Sequence, residues 1–185
     1  MRCRIPAATA AAFIAFASLA HAQSPAPSSP STPAKVASAD RSFATKAAAA
    51  GAAEIADAQL ALKNSSRQDV KDFAQRMVTD HTKAADQLKS IASSEGITLP
   101  SGESAADQKK TDALQKLNGA AFDQKYIRGQ RTAHKQAVAL FTKESKSGKD
   151  SQLKSFASQT LPTLEDHLKM ITDTPLAQKS SSITP

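Results

Sequence analysis

Apolar side chains recur every three or four residues along most of the chain, a spacing typical of amphipathic α-helices. The clearest stretch is Val70 to Ala92, whose apolar positions fall within an arc of roughly 140° at about 100° per residue. The same pattern predicts long helices from Asp40 to about Lys63, from about Ala120 to Lys146 and from about Ser151 to Thr172. A short helix is predicted from about Asp107 to Leu117.

Short polar connections predict that the first two long helices are antiparallel neighbours, and likewise the last two. The connection between the two pairs is much longer and contains the short helix. We therefore predict an all-α, ferritin-like four-helix bundle with a long crossover. Locally, Asp40 or Ser42 is expected to cap the first helix, and Asn118-Gly119 to interrupt the chain. Pro162 is expected to kink the last helix.

Each long helix carries polar residues on its apolar face. Glu54, His81 and His167 do so on the first, second and fourth helices. On the third long helix, Asp123, Gln130 and His134 project inside an apolar arc of roughly 160°. At about 1.5 Å per residue, the crossover topology places Glu54 and the three histidines within about 8 Å of one another in height. Asp80 and Asp166 fall near the edges of their arcs and are expected to face solvent.

Two interpretations of this polar layer remain open. In the first, His81, His134, His167 and Glu54 hold one Zn, Cu or Fe ion, because imidazole and carboxylate groups suit these metals. Gln130 would join or support that site. In the second, the layer is a network of buried hydrogen bonds, in which Glu54 pairs with His81 or His134 and Asp123 with Tyr126 or a donor on another helix.

The composition limits which metal ligands, partners and enzyme classes are possible for this chain. The 185 residues include one cysteine, Cys3, so any metal in the predicted core must be held without thiolates. The formal net charge is +7, but no dense basic run with interleaved aromatics indicates nucleic-acid binding. Arg128, Arg131 and Lys135 form a basic strip, expected to be solvated or to contact an anionic envelope surface weakly. No nucleophile elbow, phosphate-binding loop or zinc-protease motif is present, so we do not expect a hydrolase or transferase.

The two ends of the chain differ in composition from the helical part. Residues 1–22 combine basic residues, a run of about 15 apolar residues and a small-residue site, as in a secretory signal; an uncleaved anchor is the alternative. Residues 23–39 are rich in Pro, Ser and Ala and read as a disordered linker. The bundle domain is expected at 40–173, and a disordered tail at 174–185. An exported, periplasmic protein is therefore predicted, with outer-membrane association left open.

Several of these residues resemble those of a known bacterial family, the domain of unknown function 4142. The matching features lie between Phe43 and His167: Phe43, Glu54-Ile55, Val70-Lys71, Phe73-Ala74, Met77-Val78, Asp80-His81, Phe122-Asp123, Tyr126-Ile127, His134, Phe156-Ala157, Leu161-Pro162 and His167. The resemblance implies an exported, ferritin-like four-helix bundle and no established activity. The chain lacks the Glu-x-x-His motif of ferritin-like iron proteins, so the relation to them is one of fold.

The function expected from this resemblance is a non-enzymatic binding or structural module acting in envelope stress. A metal-binding or redox protein with a site at the middle of the bundle is the alternative. Neither the partner nor the oligomeric state follows from the sequence.

Overall fold

A computed structural model describes residues 36–173, which form five α-helices. Their bounds are Ser38–Asn64 (α1), Gln68–Ser94 (α2), Ala105–Gln115 (α3), Gly119–Ser147 (α4) and Ser151–Asp173 (α5). The predicted signal segment, most of the predicted linker and the predicted tail lie outside this range. Within it, no helix is both long enough and apolar enough to cross a membrane.

The predicted helices are confirmed, with differences at their ends. The capping prediction for α1 is wrong: the helix begins at Ser38, the residue before it is Ala37, and no side chain caps it. Asp40 lies in the first turn, and its carboxylate reaches another part of the chain instead. The short helix α3 begins earlier than expected because the hydroxyl of Ser104 accepts a hydrogen bond from the backbone N–H of Asp107, 3.1 Å away.

Two local predictions concerned breaks in the helices. The break at Asn118-Gly119 is present between α3 and α4, and Gly119 has a φ of 53°, which favours glycine. Pro162 lies inside α5, which remains helical on both sides of it, and the kink expected there stays a prediction. The basic strip is only partly solvated: Arg128 and Lys135 are exposed, but half-buried Arg131 donates to the carbonyl of Ile171.

The four long helices form a bundle in which neighbouring helices are antiparallel. Asp40, at the start of α1, bonds to Lys149 just after the end of α4. At the opposite end of the bundle, Asn64 of α1 donates to the carbonyl of Leu117, just before α4 begins. Since α2 and α4 run in the same direction, the segment between them, which includes α3, must cross the length of the bundle. The predicted crossover topology is therefore present.

The buried apolar residues form two clusters along the bundle. One contains Phe43, Leu88, Phe141, Leu153, Phe156 and Leu164 among its members. The other contains Val70, Phe73, Met77, Phe122, Ile127 and Ile171. On every long helix the predicted polar residue lies in sequence between its contributions to the two clusters. The polar residues therefore form a layer that separates two apolar cores.

Candidate metal centre

Four buried side chains make up the polar layer, one from each long helix. Glu54 of α1 is 4% exposed and His81 of α2 is 7% exposed. His134 of α4 and His167 of α5 are fully buried. All four project inward because they share the helix face that buries the apolar residues one or two turns away.

The three imidazole rings converge on one small volume. Ring centroids are 5.7 Å apart for His81 and His134, 5.5 Å for His81 and His167, and 5.3 Å for His134 and His167. One nitrogen from each ring lies within 4.8 Å of a nitrogen of each other ring. The expected convergence at one height of the bundle is therefore present in the structure.

The hydrogen bonds of His134 and His167 identify which nitrogens carry protons. Nδ1 of His134 lies 3.0 Å from the backbone carbonyl oxygen of Gln130, which can only accept, so this nitrogen donates. Nε2 of His167 lies 2.9 Å from Oδ2 of Asp80 and donates to it. The two remaining nitrogens, Nε2 of His134 and Nδ1 of His167, face each other at 3.3 Å. In neutral rings both carry a lone pair, so no proton lies between them.

His81 and Glu54 complete the layer. Nδ1 of His81 lies 3.2 Å from Oε2 of Glu54, and Nδ1 of His134 lies 3.4 Å from Oε1. Two atoms remain buried without a hydrogen-bond partner, namely Nε2 of His81 and Oε1 of Glu54. A buried polar atom without a partner costs about 1–3 kcal/mol, so the layer is incomplete as it stands.

Burial keeps the imidazoles neutral. Burial, followed by repulsion from the other two histidines, lowers the pKa of His81 to about 3. Burial and His167 lower the pKa of His134 to about 4, although the bond to the Gln130 carbonyl acts in the opposite direction. Burial also lowers the pKa of His167, opposed by its hydrogen bond to Asp80. All three rings therefore retain a lone pair at neutral pH, the form in which histidine binds metals.

The Glu54 carboxyl behaves in the opposite way. Burial, followed by the negative charges of Asp57 and Asp107, raises its pKa to about 8. A positive charge beside Glu54 would favour the ionised carboxylate, because an opposite charge at short range stabilises it.

The other predicted polar residues have different surroundings. Gln130 bonds to His134 through its backbone carbonyl, whereas its side-chain Oε1 has no partner. The predicted hydrogen bond between Asp123 and Tyr126 is absent, and the polar side-chain atoms of both residues are buried without partners. Tyr126 stacks instead on Phe122, with ring centroids 5.8 Å apart. The structure therefore connects only Gln130 of these three to the histidines.

Asp80 is the site residue that the sequence reasoning placed wrongly. It was expected to face solvent, yet its carboxylate bonds to His167 across the bundle and to Arg76 on its own helix. Asp166, which precedes His167 as Asp80 precedes His81, has a side chain that is 67% exposed, as expected. The only sequence signal for Asp80 was its place directly before a buried histidine, and Asp166 has that same place.

Comparison with solved structures finds helical proteins of similar fold. A DUF305 fragment from Deinococcus radiodurans superposes with a TM-score of 0.68 at 14% identity, covering 78% of this chain and 99% of that one. CopM in its Cu(I)-bound form superposes with a TM-score of 0.60 at 17% identity, covering 71% and 91%. At these identities the likeness concerns the fold. The curated proteins contain no match to the sequence.

The sequence itself matches a family model over its whole helical part. The model is that of DUF4142, a domain of unknown function, and it spans residues 24–174. The match includes all five helices and all four residues of the polar layer. The chain therefore belongs to the DUF4142 family.

Proposed function

We propose that the protein binds one divalent transition-metal ion, Cu²⁺ or Zn²⁺, through His81, His134 and His167, with Glu54 contacting two of these rings on the side away from the ion. The observation that carries this proposal is the pair of facing lone pairs on His134 and His167, 3.3 Å apart. Their other nitrogens already donate to Gln130 and Asp80. A cation between the two nitrogens removes their repulsion.

The spacing of these nitrogens suits a metal ion. Two nitrogens that each lie 2.0–2.1 Å from a tetrahedral zinc ion are about 3.3 Å apart. His81 supplies the third nitrogen, since its Nε2 is buried and has no hydrogen-bond partner. The Glu54 carboxyl lies against the Nδ1 atoms of His81 and His134, which face away from the proposed ion.

Each imidazole is also oriented by a second group, as in known metal sites. These groups contact the ring nitrogens that face away from the proposed ion. The carbonyl of Gln130 accepts from His134 and the carboxylate of Asp80 accepts from His167. The carboxyl of Glu54 lies against Nδ1 of His81. Such partners select the tautomer and hold the ring in place, and they strengthen metal binding.

The ligand set favours Cu²⁺ and Zn²⁺ over other metals. Imidazole nitrogen suits both ions, and Cu²⁺ binds nitrogen ligands most tightly among the divalent metals of its row. The Cu(I)-bound form of CopM supports copper as a candidate, because that protein shares the fold. The chemistry proposed for the site is metal binding, and we assign no catalytic step to it.

A network of hydrogen bonds without a metal is the competing explanation. The contacts of Glu54 with His81 and His134 fit such a network. A completed network, however, would leave no buried ring nitrogen or carboxyl oxygen without a partner. Nε2 of His81, which is buried and has no hydrogen-bond partner, favours the metal site.

We also propose that the protein acts in the cell envelope, on the basis of the signal predicted at residues 1–22. Cell fractionation with an antibody against the protein tests this location. Recovery in the periplasmic fraction, with a mass reduced by the signal, is the expected result; recovery of the unprocessed chain in the cytoplasm would contradict it.

Isothermal titration of the purified, metal-free protein with Cu²⁺ or Zn²⁺ tests the metal site. One ion per chain is expected to bind. His134→Asn should abolish this binding, because asparagine has no counterpart of Nε2. The asparagine amide can still donate to the Gln130 carbonyl, so that hydrogen bond is kept. The matched control is Lys135→Ala, at the exposed neighbouring position. Equal binding by both variants would contradict the proposal, and circular dichroism verifies that each is folded.

A further inference from the structure

A cavity of about 650 Å³ lies beside the polar layer, between the helices of the bundle. His81, His167 and Glu54 line it, whereas His134 does not. This volume is in the range of small-molecule sites and far exceeds the space of one water molecule. A metal ion held by the three histidines would therefore have one side facing an open space.

Small side chains keep this space open. Ala47 and Gly51 of α1, Ala84 of α2 and Gly129 and Ala133 of α4 all line the cavity. A Cβ atom added at Gly51 or Gly129 would meet no atom within 4 Å. Larger residues at these positions would reduce the volume without displacing the backbone.

The charges around the cavity favour an anion. Lys46, Lys125 and Arg128 line it, are exposed, and have no carboxylate partner within residues 36–173. Four carboxyl groups line the same cavity and each has a contact of its own, namely Asp107 with the cation Lys110, Asp80 with His167, Asp57 with Thr111 and Glu54 with His81. Cationic groups without partners around a cleft raise the local concentration of anions.

The interior of the cavity offers a hydrogen-bond donor as well. The hydroxyl of Tyr126 is buried, has no partner and belongs to a residue that lines the cavity. A tyrosine hydroxyl can donate to an anion, which relieves the cost of its burial.

We infer that a small monoanion enters this cavity and binds the metal ion on the side that the three imidazoles leave open. This inference rests on the metal site of the proposed function. Three protein ligands with a free fourth position are the arrangement of zinc sites that accept an outside ligand, whereas purely structural zinc sites have four protein ligands. The anion class extends from azide to short carboxylates.

Azide titration of the Cu²⁺-loaded protein tests the inference. Azide bound to Cu²⁺ produces a charge-transfer absorption band, which the metal-free protein with azide cannot show. Acetate is expected to displace azide and remove the band, while the neutral analogue acetamide at the same concentration should not. Displacement by acetamide as effective as by acetate would overturn the inference, because charge would then play no part.

Filling the cavity tests whether the anion reaches the metal ion through it. Gly51→Leu is expected to weaken azide binding on the order of tenfold and to leave Cu²⁺ affinity within about twofold, compared with Gly51→Ala as the matched control. Both substitutions raise helix propensity. Gly129→Leu provides a second variant in case Gly51→Leu fails to fold. Azide affinities equal to that of the control in the folded variants would overturn the inference.

The two proposals fail in different ways. Absence of Cu²⁺ binding in the titration would remove the metal site and this inference together. Stoichiometric Cu²⁺ binding without any azide-dependent band would overturn the inference alone.

Discussion

Asp80 and Asp166 each precede a buried histidine, and both lie within ion-pair distance of Arg76. Only Asp80 reaches across the bundle to a ring nitrogen, Nε2 of His167, at 2.9 Å. This single contact determines the tautomer of His167 and so directs its Nδ1 lone pair toward His134. Two residues that look alike in sequence therefore have different roles.

The substitution Asp80→Asn is expected to weaken Cu²⁺ or Zn²⁺ binding by roughly 10–100-fold, because it removes the acceptor that orients His167. Asp166→Asn is the matched control, and it should change the affinity by no more than about twofold. Competition titration against a chelator of known affinity measures both. Equal losses in the two variants would show that loss of the Arg76 pair, not loss of the contact with His167, is responsible.

A second carboxyl, that of Glu144 near the end of α4, lies outside the metal layer. It is 5% exposed, and its Oε1 has no hydrogen-bond partner. Burial, followed by the negative charges of Asp40 and Asp150, raises its pKa to about 7. The folded protein therefore holds a proton on Glu144 in a pH range where the unfolded chain does not.

This difference predicts the direction of a pH effect on stability. The contribution of Glu144 is fully present below its ordinary pKa of 4.5 and is lost as pH rises through about 7. The difference in the free energy of unfolding, Glu144→Gln minus wild type, should therefore increase by about 1–2 kcal/mol from about pH 4.5 to about pH 8. Urea denaturation at the two pH values measures it. Glu165→Gln, at an exposed site on α5, should show no such gain.

At the scale of the elements, the start of α1 is held by the turn between α4 and α5. Oδ2 of Asp40 accepts the backbone N–H groups of Lys149, at 3.0 Å, and Asp150, at 2.6 Å. Asp150 in turn accepts the N–H of Leu153 at 2.8 Å and so caps α5. One buried carboxylate therefore connects three helices at this end of the bundle.

Asp40→Ala is expected to lower the free energy of unfolding by about 2–3 kcal/mol, since it removes two charge-assisted hydrogen bonds made by a buried carboxylate. The control Asp86→Ala, on the exposed face of α2, should be within about 0.5 kcal/mol of wild type. Thermal or urea unfolding followed by circular dichroism compares the two. Similar values for both variants would mean that the turn is held by other contacts.

At the scale of the whole molecule, a layer of four polar side chains separates two apolar cores. Apolar residues of the same shape would bury more apolar surface. The polar layer therefore costs stability unless each of its polar atoms has a partner. A bound ion would complete it, because nitrogens from three of the four long helices would coordinate that ion. The stability of the bundle should therefore depend on metal.

Saturation with Cu²⁺ or Zn²⁺ is expected to raise the melting temperature. At a free-ion concentration 100 times the dissociation constant, the gain in stability is about 2.7 kcal/mol. A chelator should reverse the shift, and His134→Asn should show none. An unchanged melting temperature in the wild-type protein, under conditions where titration shows binding, would contradict coupling of the site to the fold.

The fold was largely predictable because its signals are local. Apolar spacing located the helices, and the short connections on either side of a long one indicated the crossover. The start of α1 was not predictable in the same way. Asp40 has the residue type of a helix cap, but its carboxylate bonds to Lys149 and Asp150, which are more than a hundred positions away.

Helical period and rise follow from the chain alone, so the spacing of Glu54, His81, His134 and His167 was enough to predict that they face inward at one level. Which atoms of these residues meet could be seen only once the helices were packed together. The distance from His134 to His167, the contact of Asp80 and the open cavity depend on how far apart the helices lie and how each is rotated. Those quantities result from side-chain packing between helices, which no pattern along one helix contains.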